Sequence, residues 1–170
     1  DWYKKLFTND LIISSLGNTL LIALVSSVAA TVIGTAAAIG LSNMKKLPRA
    51  VIMNFTYLPI INPEIVTGVS LMLLFGAFQA FFARLADTTF SFGYGTLILA
   101  HITFNIPYVI LNVSPKLRQM DKNVYEAALD LGCNEWQAFT KVVIPDILPG
   151  ILAGFLTSIT MSLDDFIISY

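Results

Sequence analysis

The stretch that decides the fold is YEAALDLGCNEWQAFTKVVIP, residues 125–145, which lies between two long hydrophobic segments. Asp121 is a favourable N-cap for a helix entering this stretch. Gly132 is the residue type that most readily takes the left-handed conformation at a helix end. Apolar residues recur on one face of this first helix at Val124, Ala127, Ala128 and Leu131. The pattern predicts a short helix that stops at Gly132.

A second short helix is predicted directly after the glycine. Asn134 is followed three residues later by Gln137, which is the pattern of a capping box. Pro145 and Pro149 are expected to mark where this helix gives way to the next hydrophobic segment, because proline cannot continue the helical hydrogen bonding. The two helices form a charged helix–glycine–helix elbow between hydrophobic segments. Such an element is suited to docking against another protein.

The elbow resembles the EAA loop in the permease subunits of bacterial ABC importers. The matching residues are Glu126-Ala127-Ala128, then Gly132 after three residues, then Val142-Val143-Ile144-Pro145 after nine more. The family usually has Ile and Leu where this chain has Val142 and Ile144, which is a conservative departure. Residues 70–75, 101–107 and 162–169 are similar to the spermidine/putrescine branch of that family.

This resemblance implies an all-α membrane protein with the MetI-like fold of a type I importer permease. It implies one permease domain over residues 1–170, with a cytoplasmic coupling loop at 114–146. Because family members usually have a further membrane helix on each side, we expect the chain to be the core of a longer permease. Its ATPase-coupling residues would be Glu126, Ala127, Ala128, Gly132 and Pro145.

The resemblance also implies the partners of the chain. They would be a dimer of ABC ATPase subunits, a second homologous permease subunit and a periplasmic substrate-binding protein. ATP and Mg²⁺ would be bound by the ATPase, so no cofactor is expected on this chain. The expected location is the bacterial inner membrane, which the chain would cross several times.

Composition independently predicts a membrane protein. The chain is 56% hydrophobic and 12% charged, with a mean hydropathy of +0.74, whereas a soluble domain has about 25% charged residues. The net charge of −1 and the lack of a basic aromatic patch give no indication of nucleic-acid binding. Cys133 is the only cysteine, so no disulfide framework exists.

Four membrane spans are predicted. They cover residues 11–44, residues 51–82 with a break at 59–64, residues 95–113 with a kink at Pro107, and a segment that starts near Pro149. The break contains two prolines, and broken backbone at membrane depth is tolerated where it is buried in protein or lines a watery cavity. Small residues at four-residue spacing predict close helix packing at Ser26, Ala30, Gly34 and Ala38, and at Gly150 and Gly154.

The distribution of basic residues predicts the orientation. The loop after the first span carries Lys45, Lys46 and Arg49, and the elbow region carries four more Lys or Arg residues. The opposite side has only three. By the positive-inside rule, the elbow lies in the cytosol, as the resemblance also requires.

The motifs of ATP hydrolysis and of the common catalytic centres are missing from the sequence. No glycine is followed by lysine, so the chain has no P-loop. It has one His and one Cys, with no metal-ligand spacing and no catalytic triad around His101. We therefore expect a protein that is not itself an enzyme and that holds no metal.

Ionisable residues inside the spans indicate a solute pathway, since such groups are costly in a membrane. Counting about 1.5 Å per helical residue from the cytosolic side places Glu64 and Asp164 about 21–22 Å up. The same count puts His101 about 10 Å below the outer face. Together with Asp165, the residues Glu64, Asp164 and His101 would form one acidic layer suited to a polyamine. Tyr57 and Phe104 would offer aromatic faces to its ammonium groups.

Other interpretations remain open from the residues alone. Glu64 could be an interface residue, Asp164 and Asp165 could begin an outer loop, and His101 could be a packed hydrogen-bonding residue. The chain could serve an importer of iron, thiamine or sulfate. It could also be a secondary transporter or a structural membrane subunit.

Overall fold

The protein is all-helical over the residues that the computed structural model describes, which are 9–61, 64–86 and 93–164. The side chains of Glu64, Arg84, Leu85, Ala86 and Lys122 are not among them. The helices are α1 (Asp10–Ser42), α2 (Lys46–Ile61), α3 (Glu64–Ala86), α4 (Tyr94–Gln119), α5 (Lys122–Asp130), α6 (Glu135–Ala138) and α7 (Ile144–Asp164). A π-helical turn, Phe139–Val143, joins α6 to α7. The predicted all-α fold is confirmed.

Helices α1, α4 and α7 pack together as a three-helix bundle. Side-chain contacts fix their directions. Asn18 bonds Tyr94 near the starts of α1 and α4, while Ser26 of α1 meets Ser162 near the end of α7. Helices α1 and α4 therefore run parallel, and α7 runs antiparallel to both.

Small residues let the three backbones approach closely. A Cβ added at Gly34 would lie 2.7 Å from the Cβ of Val109, and one added at Gly154 would lie 3.2 Å from the Cα of Val109. A Cβ at Gly150 would lie 3.0 Å from the carbonyl oxygen of Asn112. All four members of the predicted ridge are buried, namely Ser26, Ala30, Gly34 and Ala38. The small-residue packing that the sequence predicts is confirmed.

An apolar core closes one end of the bundle. It joins α1, α2, α4, the π turn and α7 through buried Ala38, Leu41, Met53, Val109, Ile110, Val113, Val143 and Ile147. The basic loop at Lys45, Lys46 and Arg49 and the elbow lie at this end, which we call the basic end. The opposite end, which carries Asp10, Tyr94 and Asp164, we call the far end. The two basic segments therefore share one side, as the charge count predicts.

The predicted second span is corrected. One helix ends at Ile61 and another begins at Glu64, so the interruption is confirmed. Helix α2, however, has only 16 residues and is amphipathic, with buried Met53 and Thr56. The spanning candidate is Ile65–Ala83, which lies beyond the break. The depth of Glu64, counted from residue 50 through an unbroken span, therefore does not follow.

Within the described residues, four helices are long and apolar enough to cross a membrane, by length and composition. They are Asp10–Ser42, Ile65–Ala83, Tyr94–Gln119 and Glu135–Asp164. The third and fourth are longer than predicted. Residues 114–119 of the predicted coupling loop continue α4, and residues 144–146 belong to α7.

The predicted helix end near Pro145 and Pro149 is wrong. Helical backbone runs without interruption from Glu135 to Asp164. Within the π turn, the Ile144 N–H donates to the Phe139 carbonyl five residues back, which widens the backbone just before Pro145. Both proline rings are exposed. A local π turn accommodates a residue that cannot donate, so the chain need not stop there.

Candidate functional site

Gly132 makes the bend of the elbow. Its φ of +89° lies in the left-handed region, where a side chain is strained. The Gly132 N–H donates to the Leu129 carbonyl at 2.9 Å, and the Cys133 N–H donates to the Ala128 carbonyl at 3.1 Å. These two bonds form a Schellman motif, which satisfies the last carbonyls of α5. The predicted glycine stop is confirmed.

Side chains cap both elbow helices as predicted. Asp121 Oδ1 accepts from the Asn123 N–H at 2.9 Å. Asn134 Oδ1 accepts from the Gln137 N–H at 2.8 Å, while Gln137 Oε1 accepts from the Asn134 N–H at 3.2 Å. The capping box is therefore complete, and the elbow is held by local bonds.

The elbow presents an unpartnered apolar surface. Leu131 is 87% exposed and Trp136 is 71% exposed. Glu126 and Ala127 are exposed beside them, while Ala128 is half-buried. The sequence pattern assigns Leu131 to the apolar face of α5, and Trp136 is not predicted as part of a docking surface. Neither side chain is covered by the described part of this chain, so both are available to a partner.

A groove of about 640 Å³ lies between the elbow and the basic end of the bundle. Its lining residues are Gln119, Met120, Asp121, Val124, Lys141, Val142, Pro145 and Asp146. Pro145, predicted as a coupling residue, therefore lines this groove rather than sharing the exposed surface of Glu126. Both sets of residues belong to the same elbow.

A buried polar cluster joins the three bundle helices nearer the far end. The hydroxyl of Ser162 on α7 is its centre. Asn105 Nδ2 lies 2.9 Å from Ser162 Oγ, His101 Nδ1 lies 3.2 Å away and Ser26 Oγ lies 3.3 Å away. His101 and Asn105 are at most 1% exposed, and Ser26 and Ser162 are buried as well.

The donors and acceptors of this cluster have one consistent order. Ser26 donates its proton to the Ile22 carbonyl at 2.7 Å, so it accepts from Ser162. Ser162 has then used its only proton, and its two lone pairs accept from Asn105 and His101. His101 must donate from Nδ1, which in the neutral ring leaves Nε2 as the acceptor nitrogen.

A cleft of about 210 Å³ opens above this cluster. We call it the far-end cleft, and its lining residues are Ser15, Asn18, Thr19, Ile22, Tyr94, Leu97, His101 and Ser162. Asn18 Nδ2 donates to Tyr94 Oη at 3.0 Å and ties α1 to α4 within it. No lining residue carries a formal charge when His101 is neutral.

The predicted pathway residues are not assembled into one layer by the described residues. His101 is in the polar cluster and in the cleft floor. Asp164 is exposed at the end of α7, two residues beyond Ser162. Because Ser162 contacts His101, Asp164 and His101 lie at a similar height along the bundle. The side chain of Glu64 and the whole of Asp165 lie outside the described residues.

The two predicted aromatic residues lie in different surroundings. Phe104 is 4% exposed and packs against Tyr108, with ring centroids 5.4 Å apart. Tyr57 is 44% exposed on α2. In this arrangement Phe104 offers no free face to a solute. Among the described residues, no group of three His, Cys, Asp or Glu side chains could hold a metal ion.

The polar cluster of Ser26, Asn105 and Ser162 is not predicted by the sequence pattern. The four-residue spacing assigns Ser26 to a packing ridge, where it does lie. The available signal was the recurrence of hydroxyl and amide side chains among small residues, because such groups hydrogen-bond between membrane helices. Spacing within one helix cannot show which groups meet across helices.

Comparison with known proteins places these features in a family. Residues 30–170 match the family model described as "Binding-protein-dependent transport system inner membrane component". The putrescine transport system permease protein PotI of Escherichia coli (strain K12) is 36% identical over 171 residues, covering 99% of this chain and 59% of that protein. The spermidine/putrescine transport system permease protein PotC of Haemophilus influenzae is 33% identical over 169 residues, covering 99% and 62%.

A more distant relative is the PotC homolog of Mycoplasma pneumoniae, which is 29% identical over 171 residues, covering 98% of this chain and 56% of that protein. The chain thus spans about 60% of the length of the first two relatives. Four apolar helices and a family match over most of the chain agree on a multi-pass membrane protein that is a transport component. The chain belongs to the family of binding-protein-dependent transport system inner membrane components.

Proposed function

We propose that the whole protein is the permease subunit of an ATP-driven importer that carries polyamines across the inner membrane. The observation that carries the importer assignment is the elbow, whose capped helices present Leu131 and Trp136 to solvent. A secondary transporter has no use for such a surface, and the family is one of binding-protein-dependent systems. The elbow is therefore the surface on which an energy-supplying partner acts.

The partner on the elbow is an ABC ATPase subunit, which binds the ATP and Mg²⁺ that this chain has no motif to hold. Burying Leu131 and Trp136 against it supplies apolar contact area. Exposed Glu126 pairs with a basic group on the ATPase, and Ala127 keeps the approach close. A second homologous permease subunit and a periplasmic substrate-binding protein complete the transporter.

The substrate class follows from charge and from the relatives. Residues 11–42, 65–83 and 95–113 contain no Lys or Arg, whereas the acidic residues Glu64, Asp164 and Asp165 stand in sequence at the ends of apolar segments. Negative groups in a low-dielectric cavity attract a multiply charged cation strongly. The relatives named above are described as permeases for putrescine and spermidine. A polyamine fits both observations.

Reconstitution of the full-length permease with its ATPase and binding protein tests this proposal. We expect the ATPase to co-elute and labelled spermidine to enter proteoliposomes when ATP is present. Glu64→Gln with Asp165→Asn should abolish uptake without loss of assembly. Asp10→Asn is the control, because Asp10 is an exposed carboxylate in the first turn of α1.

Three results would contradict the proposal. If no ATPase co-purifies with the permease, the importer assignment is wrong. Uptake of iron or thiamine in place of spermidine would change the substrate. If uptake survives both neutralising substitutions, Glu64 and Asp165 are not part of the solute pathway.

A further inference from the structure

The far-end cleft is a polar pocket that the docking elbow does not explain. Its lining residues come from α1, α4 and α7. Its volume of about 210 Å³ is many times the space that one water needs. That is space for one end of a short alkyl chain with some of its hydration.

The polar cluster beneath the cleft contains an acceptor that has no donor among the described residues. Asn105 Oδ1 is buried and accepts no hydrogen bond from any described residue. Asn105 spends an N–H on Ser162, whose own proton goes to Ser26. A buried acceptor without a donor costs about 1–3 kcal/mol. Asn105 itself does not line the cleft, so the groups that meet a ligand are those of the cleft wall.

The cleft wall carries oxygens that can accept from an incoming donor. The Thr19 hydroxyl spends its proton on the Ser15 carbonyl at 2.9 Å, which leaves its lone pairs for an incoming donor. Tyr94 accepts from Asn18, whose side-chain oxygen is an additional acceptor. Ile22 and Leu97 supply apolar wall between these groups.

We propose that the far-end cleft is a binding subsite for the primary ammonium end of an alkylamine. An ammonium group has three N–H donors and no acceptor, so it can donate to the side-chain oxygens of Asn18, Thr19 and Tyr94 in the cleft lining. Ile22 and Leu97 contact the methylene chain. The inference rests on the proposed function and assigns residues that the acidic layer does not include.

The uncharged lining of the far-end cleft suits an ammonium group that must be released after it binds. A site in a permeation pathway has to bind well enough to admit the solute and weakly enough to release it. Neutral hydroxyl and amide oxygens replace part of the hydration shell of the ammonium without the full attraction of a carboxylate. The subsite thus works as a stage between delivery at the far end and the deeper pathway.

Two substitutions on the cleft wall test the subsite in the complete transporter. Thr19→Val and Asn18→Leu should each lower the putrescine uptake rate about tenfold, because each removes an oxygen that accepts from the ammonium. Stimulation of ATP hydrolysis by loaded binding protein should persist. Gly17→Ala is the matched control, since its Cβ points to open space on the same helix. Unchanged uptake in both cleft variants would overturn the proposal.

Protection of a cysteine from modification distinguishes direct contact between putrescine and the cleft from a general loss of transport. Asn18→Cys in a Cys133→Ser background is treated with an impermeant thiol reagent while ATP is hydrolysed. Putrescine-loaded binding protein should slow the modification at least fivefold relative to unloaded binding protein. Equal rates would overturn the subsite, and so would a cysteine that no reagent reaches, since the cleft would then be covered by another segment. Failure of the polyamine assignment would give a different result, because the wild-type transporter itself would then take up no polyamine.

Discussion

Replacing Ser162 by Ala tests the buried polar cluster directly. The hydroxyl makes three hydrogen bonds, to Ser26, His101 and Asn105, and each partner sits on a neighbouring helix of the bundle. Ser26 keeps its bond to the Ile22 carbonyl after the substitution. The amide of Asn105 loses the acceptor for its bond to α7.

The expected loss can be worked from these bonds. Interhelical hydrogen bonds in membranes average about 0.6 kcal/mol, so three of them give about 2 kcal/mol. The shortest bond, 2.9 Å from Asn105, lies well within the range for a good hydrogen bond, whereas the other two are longer. Leaving the buried Asn105 amide without an acceptor adds to the cost. We expect Ser162→Ala to lower the free energy of unfolding by about 2–3 kcal/mol.

Ser158→Ala is the matched control. Ser158 lies one turn earlier on α7 and is equally buried, yet its hydroxyl has no hydrogen-bond partner among the described residues. Removing it should change stability by less than about 0.5 kcal/mol, because no bond is lost. Both variants are measured in the full-length permease by unfolding in mixed micelles with increasing SDS, followed by circular dichroism.

A double-mutant cycle with Asn105→Ala isolates the pairwise bond. If the cluster acts as described, Asn105→Ala should cost about 1 kcal/mol less in the Ser162→Ala background than in wild type. Equal losses for the two serine variants, or strict additivity with Asn105→Ala, would refute the hydrogen-bond order given for the cluster.

Three further predictions concern glycines and topology. Gly34→Ala should destabilise the bundle by about 1–2 kcal/mol, because its Cβ would lie 2.7 Å from that of Val109, whereas Gly40→Ala, with open space, should be neutral or slightly stabilising by the same SDS assay. Gly132→Ala should strain the elbow by about 1–2 kcal/mol at φ +89° and reduce stimulation of the ATPase by loaded binding protein; wild-type stimulation would contradict this. A cysteine introduced in residues 86–91 should react with an impermeant reagent in intact cells, while the native elbow cysteine reacts only after lysis; the reverse pattern would overturn the orientation.

The elbow was predictable because its rules are local. Asp121, Gly132 and Asn134 each act on backbone groups within five residues, and all three bonds form as the sequence indicates. The small-residue ridge was predictable for a similar reason, since four-residue spacing defines one helix face. Which residue fills the space beside Gly34 was not predictable, because Val109 lies on another helix.

Pro145 does not end the helix, contrary to the prediction, because the π turn before it accommodates the missing hydrogen bond. Proline ends a helix only where the lost bond and the ring cannot be accommodated. Here the π turn takes up the extra residue immediately before Pro145, and the ring faces outward. Sequence alone does not distinguish these outcomes, since both begin with the same residue pattern.

The continuous helix has a mechanical consequence for the proposed transport cycle. From Glu135 to Asp164 it spans 30 residues, or about 45 Å at 1.5 Å per residue. Trp136 at its exposed start and Ser162 in the polar cluster belong to one element, interrupted only by the π turn. An elbow that ended at Pro145 would have left the two ends separately mobile.

Close packing couples the motion of α7 to that of α1 and α4. Gly154 holds α7 against Val109 of α4, and Gly34 holds α1 against the same valine. Because packed interfaces of this kind do not deform continuously, a push on Trp136 should displace the three helices together. We infer that the proposed ATPase partner moves the bundle as one body and so carries the far-end cleft, which is lined by the same three helices, along with it. Motion of α7 alone would first have to break the bonds of Ser162 to Asn105 and His101.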